Sequence, residues 1–219
     1  QNLCHALMLK DRLDEAEPLC RASVENRPDY FEALNTLGIV LFKRGDMAGA
    51  ETNFRSALAL NPDYTMVYAN LAQAQILQDR PEEGEANLKK AVEMSGNGAD
   101  PAIFRAALSS LVEAYIRSGN HPKAIDNLKR LIYLQPADPV LRGRLTDELM
   151  KAGQFQDAET VVLSILQSDQ SDAGAWNTLG KIYVELKRQD DAVKAFRKAI
   201  ELRPDLLEAK ENLKRATTK

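Results

Sequence analysis

Apolar residues recur along this chain at helical spacing, and residues 31–64 show the pattern best. Leu34, Leu37 and Leu41 lie three or four residues apart, which places them on one face of an α-helix. The pattern breaks at Gly45 and then resumes with the same spacing. No alternation of apolar and polar residues typical of a β-strand competes with it. The stretch therefore predicts two short amphipathic helices joined by a turn.

The same pattern occurs six times. Leucines mark it at 34-residue steps with a single step of 40, at Leu3, Leu37, Leu71, Leu111, Leu145 and Leu179. A column of small residues runs in parallel, at Ala16, Ala50, Gly84, Ala124, Ala158 and Ala192. A column rich in helix-ending prolines closes each copy, at Pro28, Pro62, Gly96, Pro136, Gln170 and Pro204. One helix pair cannot bury its apolar face alone, so neighbouring pairs must stack and share one core.

The copy at 173–206 carries a recognisable motif, formed by Trp176, Leu179, Gly180, Tyr183, Ala192, Phe196, Ala199 and Pro204. In these residues and their spacing the chain resembles the tetratricopeptide repeat family. The resemblance implies an all-α fold, a right-handed α-solenoid of helix-turn-helix repeats, five complete and one truncated at its N-terminus. We expect one domain over 1–219. Its repeats are expected at about 1–30, 31–64, 65–104, 105–138, 139–172 and 173–206, with a capping helix at 206–216.

Some copies depart from the motif. Arg142 replaces the expected aromatic residue, and Val112 and Thr146 replace the glycine at which two helices approach closely. Two helix starts are nevertheless clear, because Asp100 and Asp138 each supply a capping carboxylate before a proline. We therefore expect the unit at 139–172 to form but to be less stable than the unit at 173–206.

Composition and charge narrow the function. The 219 residues contain 29 Lys and Arg against 32 Asp and Glu, a formal net charge of −3. This balance does not favour nucleic acid or an anionic membrane surface as a partner. No stretch is apolar and long enough for membrane insertion. No signal peptide follows Gln1, and two cysteines favour a reducing compartment, so we expect a cytoplasmic protein, or a periplasmic one if the N-terminus is processed.

The chain offers little for catalysis. It contains no nucleophile elbow, no phosphate-binding loop and no zinc-protease motif, so we expect no catalytic residue, no metal, no cofactor and no enzyme activity. His121 is expected to be a solvated turn residue, and His5 lacks the partners for a metal site. Cys4 and Cys20 fall on the inward faces of paired helices, where buried thiols are favoured and a disulfide is the alternative.

Function must therefore reside on a surface. The resemblance implies that the first helices of successive pairs line a concave groove that binds a peptide. A polar column in this groove is suited to the hydrogen bonds of a peptide backbone: Asn2, Thr36, Asn70, Ser110, Arg144 and Thr178. An apolar column is suited to its side chains: Met8, Phe42, Ile76, Ile116, Met150 and Val184.

Charges in the predicted groove nearly cancel, which disfavours a strongly acidic ligand. Lys43, Arg117, Arg144, Lys151 and Lys181 face Glu32, Glu113, Asp147 and Glu185. Chaperone-binding members of the family grip a terminal carboxylate with lysine, asparagine and arginine side chains. Asn70 could supply the central asparagine, but the flanking positions hold Asn35, Ile39, Ala106 and Ser110. A cochaperone role is therefore not expected.

Three function classes follow. The first is a non-catalytic scaffold that binds a peptide segment of a partner protein in the groove. The second is an assembly module that forms homo-oligomers through the N-terminal edge, where Leu3 and Leu7 lie on one apolar stripe. The third is the substrate-recognition part of a larger enzyme, such as a glycosyltransferase.

Overall fold

The computed structural model describes residues 2–95 and 101–218, which form two compact units, Gln1–Ser118 and Gly119–Lys219. The first unit contains α1 (Asn2–Leu9), α2 (Leu13–Asn26), α3 (Phe31–Lys43), α4 (Met47–Leu60), α5 (Thr65–Leu77), α6 (Pro81–Ser95) and α7 (Pro101–Arg117). The second contains α8 (His121–Leu134), α9 (Pro139–Lys151), α10 (Phe155–Ser168), α11 (Ala173–Glu185), α12 (Gln189–Leu202) and α13 (Leu207–Thr217).

The predicted all-α repeat fold is confirmed, since every regular element in the described ranges is a helix. Two boundaries differ from expectation. Helix α7 begins at Pro101, before the repeat start expected at 105, and α13 lies one residue beyond the expected cap. The two units divide between α7 and α8, inside the predicted repeat 105–138. That the chain forms one domain over 1–219 stays a prediction.

The first helix of each pair, α1, α3, α5, α7, α9 or α11, ends two residues before a residue in the left-handed backbone conformation. This conformation lets the chain reverse into the second helix of the pair. Three of these positions are glycines, at Gly45, Gly119 and Gly153. The other three are Asp11, Asp79 and Lys187, with φ of 56°, 57° and 61°. At the start of α9, the predicted N-terminal cap Asp138 accepts a hydrogen bond from the Val140 amide at 2.9 Å. The predicted cap Asp100 lies outside the described residues.

Helices of one pair approach closely where the motif glycine faces the motif phenylalanine. A Cβ atom on Gly38 would lie 2.5 Å from Phe54, and the same clash would arise between Gly180 and Phe196. Phe54 and Phe196 are both buried at 1% exposure, so each ring fills the space that its glycine leaves. These contacts set the spacing of α3 against α4 and of α11 against α12.

The first pair is also joined covalently. Cys4 on α1 and Cys20 on α2 are 1% and 2% exposed, as predicted for inward-facing residues. Their Cα atoms are 5.4 Å apart and their sulfurs form a disulfide. The expectation of two free thiols is therefore wrong, and the alternative that the spacing left open is confirmed.

Helix α13 covers the end of the second unit. Its Ala209 is fully buried and Ala216 is 8% exposed, while Lys210 and Lys214 point to solvent. Gln189 on α12 donates a hydrogen bond to the Ala216 carbonyl. The helix thus buries one narrow stripe and presents a charged outer face, as expected of a cap.

Candidate binding groove

The polar column of the first unit is largely occupied by bonds within the protein. Thr36 is 5% exposed, and its hydroxyl donates to the Glu32 carbonyl at 2.7 Å. Ser110 donates in the same way to the Ala106 carbonyl at 3.0 Å. Asn2 is exposed and Asn70 is half-buried. In this column, the Thr36 and Ser110 hydroxyls therefore donate their hydrogen bonds to carbonyls of their own helices.

The apolar column of the first unit divides into two groups. Met8 and Ile76 are buried at 5% and 1% exposure, whereas Phe42 and Ile116 are half-buried. Ile76 packs against Gly84, where a Cβ atom would lie 2.5 Å from its Cγ1 atom. Met8 and Ile76 thus belong to the core below the predicted groove, and Phe42 and Ile116 reach its surface.

A cavity of about 170 Å³ opens in the first unit. Its walls are formed by Ile39, Phe42, Lys43, Phe54, Asn70 and Gln73. Phe42 comes from the predicted apolar column on α3, and Asn70 from the predicted polar column on α5. The structure therefore brings one residue of each predicted column, Phe42 and Asn70, to the same cavity.

A larger cavity, of about 290 Å³, opens in the second unit. Gly143 and Asp147 on α9, Val162 and Ile165 on α10, and Thr178 and Lys181 on α11 contribute to its lining. Thr178 is the predicted polar-column residue that reaches this cavity. Arg144, Met150 and Val184, the other predicted residues of this unit, are half-buried.

A side-chain bond recurs between a helix pair and the helix that follows it, and its acceptor position, held by Asn35 and Asn177, lies outside the two predicted columns. Asn70 donates to Asn35 at 3.3 Å, and Asn212 donates to Asn177 at 3.0 Å. The equivalent pair in repeats five and six is Gly143 and Thr178, where the bond cannot form. The larger cavity lies at this interruption.

The groove cations that sequence analysis identified are mostly paired. Lys43 contacts Asp11 at 2.9 Å and Arg117 contacts Asp79 at 3.1 Å, in each case an aspartate in the turn of the preceding pair. Two further cations pair with glutamates. Lys151 contacts Glu148 at 2.7 Å within α9, and Lys181 on α11 contacts Glu208 on α13 at 3.0 Å. These four cations therefore each have a carboxylate neighbour, in keeping with the nearly balanced charge predicted for the groove.

Two buried carboxylates stabilise the helix pairs. Glu51 is 5% exposed, and it accepts hydrogen bonds from Arg80 at 2.9 and 3.0 Å and from Gln78 at 2.8 Å. Burial alone would raise the pKa of Glu51. The bonds from Arg80 and Gln78, with the charges of Arg55 and Arg80, nevertheless hold that pKa below its ordinary value.

Glu148, 2% exposed, has the same role in the second unit. Burial alone would raise the pKa of Glu148, but hydrogen bonds from Lys151 and His121 and the charges of these two residues hold it below its ordinary value. The His121 Nδ1 atom lies 2.7 Å from a Glu148 oxygen. The expectation that His121 is a solvated turn residue is wrong, because it is half-buried at the start of α8 and packs on α9. No sequence motif marks this pair.

The predicted apolar edge on α1 is only partly present. Leu3 is 62% exposed, but Leu7 is 8% exposed and belongs to the core around Cys4 and Cys20. Among the described residues no group of three His, Cys, Asp or Glu side chains could hold a metal ion. Within the same ranges, no helix has the length and apolarity to cross a bilayer.

Stacked helix pairs with close glycine–phenylalanine contacts define the chain as a helical repeat protein. Models of the tetratricopeptide repeat match it at residues 5–65, at 41–108 and 115–182, and at 173–206. The chain belongs to the tetratricopeptide repeat family, as the resemblance of its motifs implied.

Curated relatives are longer proteins. Protein FlbA of Caulobacter vibrioides is 31% identical over 126 residues, which is 58% of this chain and 21% of that protein. The peroxisomal targeting signal receptor of Komagataella phaffii is 25% identical over 82% of this chain and 31% of its own length. Protein O-mannosyl-transferase TMTC3 of Homo sapiens is 21% identical over 94% of this chain and 22% of its own length. This chain therefore spans about a fifth to a third of these relatives.

Solved structures share the fold. YrrB, described as a TPR protein with an unusual peptide-binding site, matches with a TM-score of 0.62 at 17% identity over 89% of this chain and 97% of that one. The C-terminal part of a TPR repeat-containing protein from Cytophaga hutchinsonii matches with a TM-score of 0.68 at 13% identity over 98% and 84%. Identities this low show the fold alone.

Proposed function

We propose that this protein is a non-catalytic scaffold that binds a peptide segment of a partner protein along the first helices of its repeats. The observation that carries the proposal is the cavity in which Phe42 and Asn70 meet. An aromatic wall beside an amide can hold one side chain of a peptide and hydrogen-bond its backbone. Tetratricopeptide repeat proteins bind protein or peptide partners, and the peptide-binding site described for YrrB supports the same use of the fold here.

A peptide-display selection on the full chain tests this function. Phe42→Ala removes apolar contact area and should weaken binding of the selected peptides by roughly 1–3 kcal/mol. Asn70→Ala removes one neutral hydrogen bond and should cost roughly 0.5–1.5 kcal/mol, with the ranking of the peptides unchanged.

Matched controls come from α4, which contributes only Phe54 to the cavity. Leu60, 47% exposed, serves as Leu60→Ala for the apolar substitution, and Asn53→Ala serves for the amide. Circular dichroism confirms the fold of each variant before affinity is compared. Unchanged affinity in folded Phe42→Ala and Asn70→Ala would place the binding surface elsewhere.

A second candidate function is the recognition part of a larger enzyme. It is favoured by the likeness to Protein O-mannosyl-transferase TMTC3, of which the matched region is only 22%. The complete reading frame tests this directly, because a catalytic domain encoded in the same chain would support it. Self-association through α1 rests on Leu3 alone, and light scattering of the Leu3→Glu variant tests it.

A further inference from the structure

The larger cavity owes its volume to a missing side chain. A Cβ atom built on Gly143 would meet nothing within 4 Å. The equivalent positions of two other repeats hold asparagines, Asn35 and Asn177, which accept hydrogen bonds from Asn70 on α5 and from Asn212 on α13. The volume of about 290 Å³ lies just below the roughly 300–1,000 Å³ typical of small-molecule pockets. The space therefore suits one long side chain better than a larger ligand.

The lining combines apolar and acidic groups. Val162, 1% exposed, and the half-buried Ile165 supply apolar surface from α10. Three carboxylates and one ammonium complete the lining, namely Asp147, Asp172, Glu208 and Lys181. This is a formal excess of two negative charges. An apolar surface with acidic groups around it matches a side chain that has an aliphatic stem and a cationic head.

One of these carboxylates is available to a ligand. Lys181 neutralises Glu208 at 3.0 Å, and Asp172 accepts the Ala175 amide at 3.0 Å as a helix cap. Asp147 is exposed and has no ion-pair or hydrogen-bond partner within residues 2–95 and 101–218. A cation entering the cavity would therefore find an unpaired carboxylate on α9.

Unused hydrogen-bonding groups point to a ligand independently of charge. Asn177 is 3% exposed and lines the cavity, and its Oδ1 atom accepts a bond from Asn212. Its Nδ2 donor has no partner in the described part of the chain. The Thr178 hydroxyl is also unbonded there, unlike those of Thr36 and Thr146, which bond to their own helices. Asn177 Nδ2 is not among the buried polar atoms that lack a partner, so it is accessible from the cavity, where a peptide carbonyl could accept its hydrogen bond.

We propose that this cavity is a specificity pocket for an arginine or lysine side chain of the bound peptide. The apolar stem contacts Val162 and Ile165, the cationic head pairs with Asp147, and a backbone carbonyl of the peptide accepts from Asn177. The proposal rests on the proposed function, because it assumes that a peptide occupies the groove. The carboxylates do not form a group that could hold a metal ion within the described residues, so a divalent cation does not fit.

The experiment uses peptides selected by display on the full chain. They should share one arginine or lysine, and its replacement by glutamine should weaken binding at least about tenfold, or about 1.4 kcal/mol. Gly143→Leu fills the cavity and should cause a loss of similar size, whereas Gly143→Ala, which leaves it open, should stay within about twofold. Asp147→Asn should weaken binding about fivefold, against no change for Asp157→Asn, an exposed aspartate on α10 outside the cavity.

A charge reversal provides a check that does not depend on filling the cavity. Asp147 is exposed, so Asp147→Lys should fold, and it should bind the peptide with glutamate in place of its basic residue better than the original protein does. Selected peptides without a shared basic residue, or equal affinity for folded Gly143→Leu, would overturn the pocket and leave the scaffold function intact. If the chain selects no peptide at all, the scaffold function fails, and the pocket fails with it.

Discussion

Two glycines of this protein occupy equivalent helices and have opposite environments. Gly180 lies against the Phe196 ring, where no Cβ atom fits, whereas Gly143 faces open space. The motif glycine is therefore required by packing, and Gly143 is not. Its lack of a side chain destabilises α9 and, at the same time, opens the larger cavity.

The same substitution at these two positions should have effects of opposite sign. Gly143→Ala should stabilise the second unit by about 0.5–1 kcal/mol, because alanine is the better helix former. Gly180→Ala should destabilise the second unit by about 1–3 kcal/mol through overpacking. Adding Phe196→Leu to Gly180→Ala should recover part of that loss, because the smaller side chain leaves room for the new Cβ atom. Urea unfolding of the three variants measures both effects. Equal destabilisation by the two alanines would mean that Gly143 also packs against a neighbour.

Buried Glu51 makes the free energy of unfolding depend on pH in the acidic range. Its pKa is lower in the folded protein than its ordinary value of 4.5, so its stabilisation is full above that value and is lost as pH falls through the folded pKa. We expect the unfolding free energy of the original protein to fall more steeply between about pH 6 and about pH 3 than that of Glu51→Gln, which cannot titrate there. Parallel pH profiles would show that Arg80 and Gln78 do not stabilise the ionised form.

At the scale of elements, the N-terminal helix pair depends on its disulfide. Cys4 and Cys20 are separated by 16 residues, and closing a loop of this length stabilises by about 3 kcal/mol in the chain-entropy account. Reduction, or the double variant Cys4→Ser and Cys20→Ser, should therefore raise hydrogen exchange in α1 and α2 more than in α5 and α6. Two alkylatable thiols in the unreduced, unfolded protein would contradict the pairing.

Motif quality should set the relative stability of the helix pairs in the second unit. In α9 and α10, Thr146 and Val162 replace the glycine and phenylalanine of α11 and α12, and the larger cavity lies beside them. We expect amide protection in 139–172 to be at least about tenfold lower than in 173–206. Native-state hydrogen exchange measures this, and uniform protection across the two pairs would contradict it.

At the scale of the molecule, regular spacing predicted the helices and the turns that join them into pairs. The same spacing could not separate core from groove in the apolar column, because hydrophobicity alone does not tell Ile76 from Phe42. Ile76 is buried because Gly84 lets α6 approach it closely. The cavity at Gly143 was also not predictable, because it arises from a missing side chain between elements that only the fold brings together.

Binding along the first helices is the central claim, and amide chemical-shift mapping with a display-selected peptide tests it most directly. The peptide should shift amides of α3 and α5 around Phe42 and Asn70, or of α9 and α11 around Gly143 and Thr178. Amides of α4 and α12 should shift little. A perturbation concentrated on α4, α10 or α12, with α3, α5, α9 and α11 unchanged, would contradict the claim and place the binding surface on the second helices.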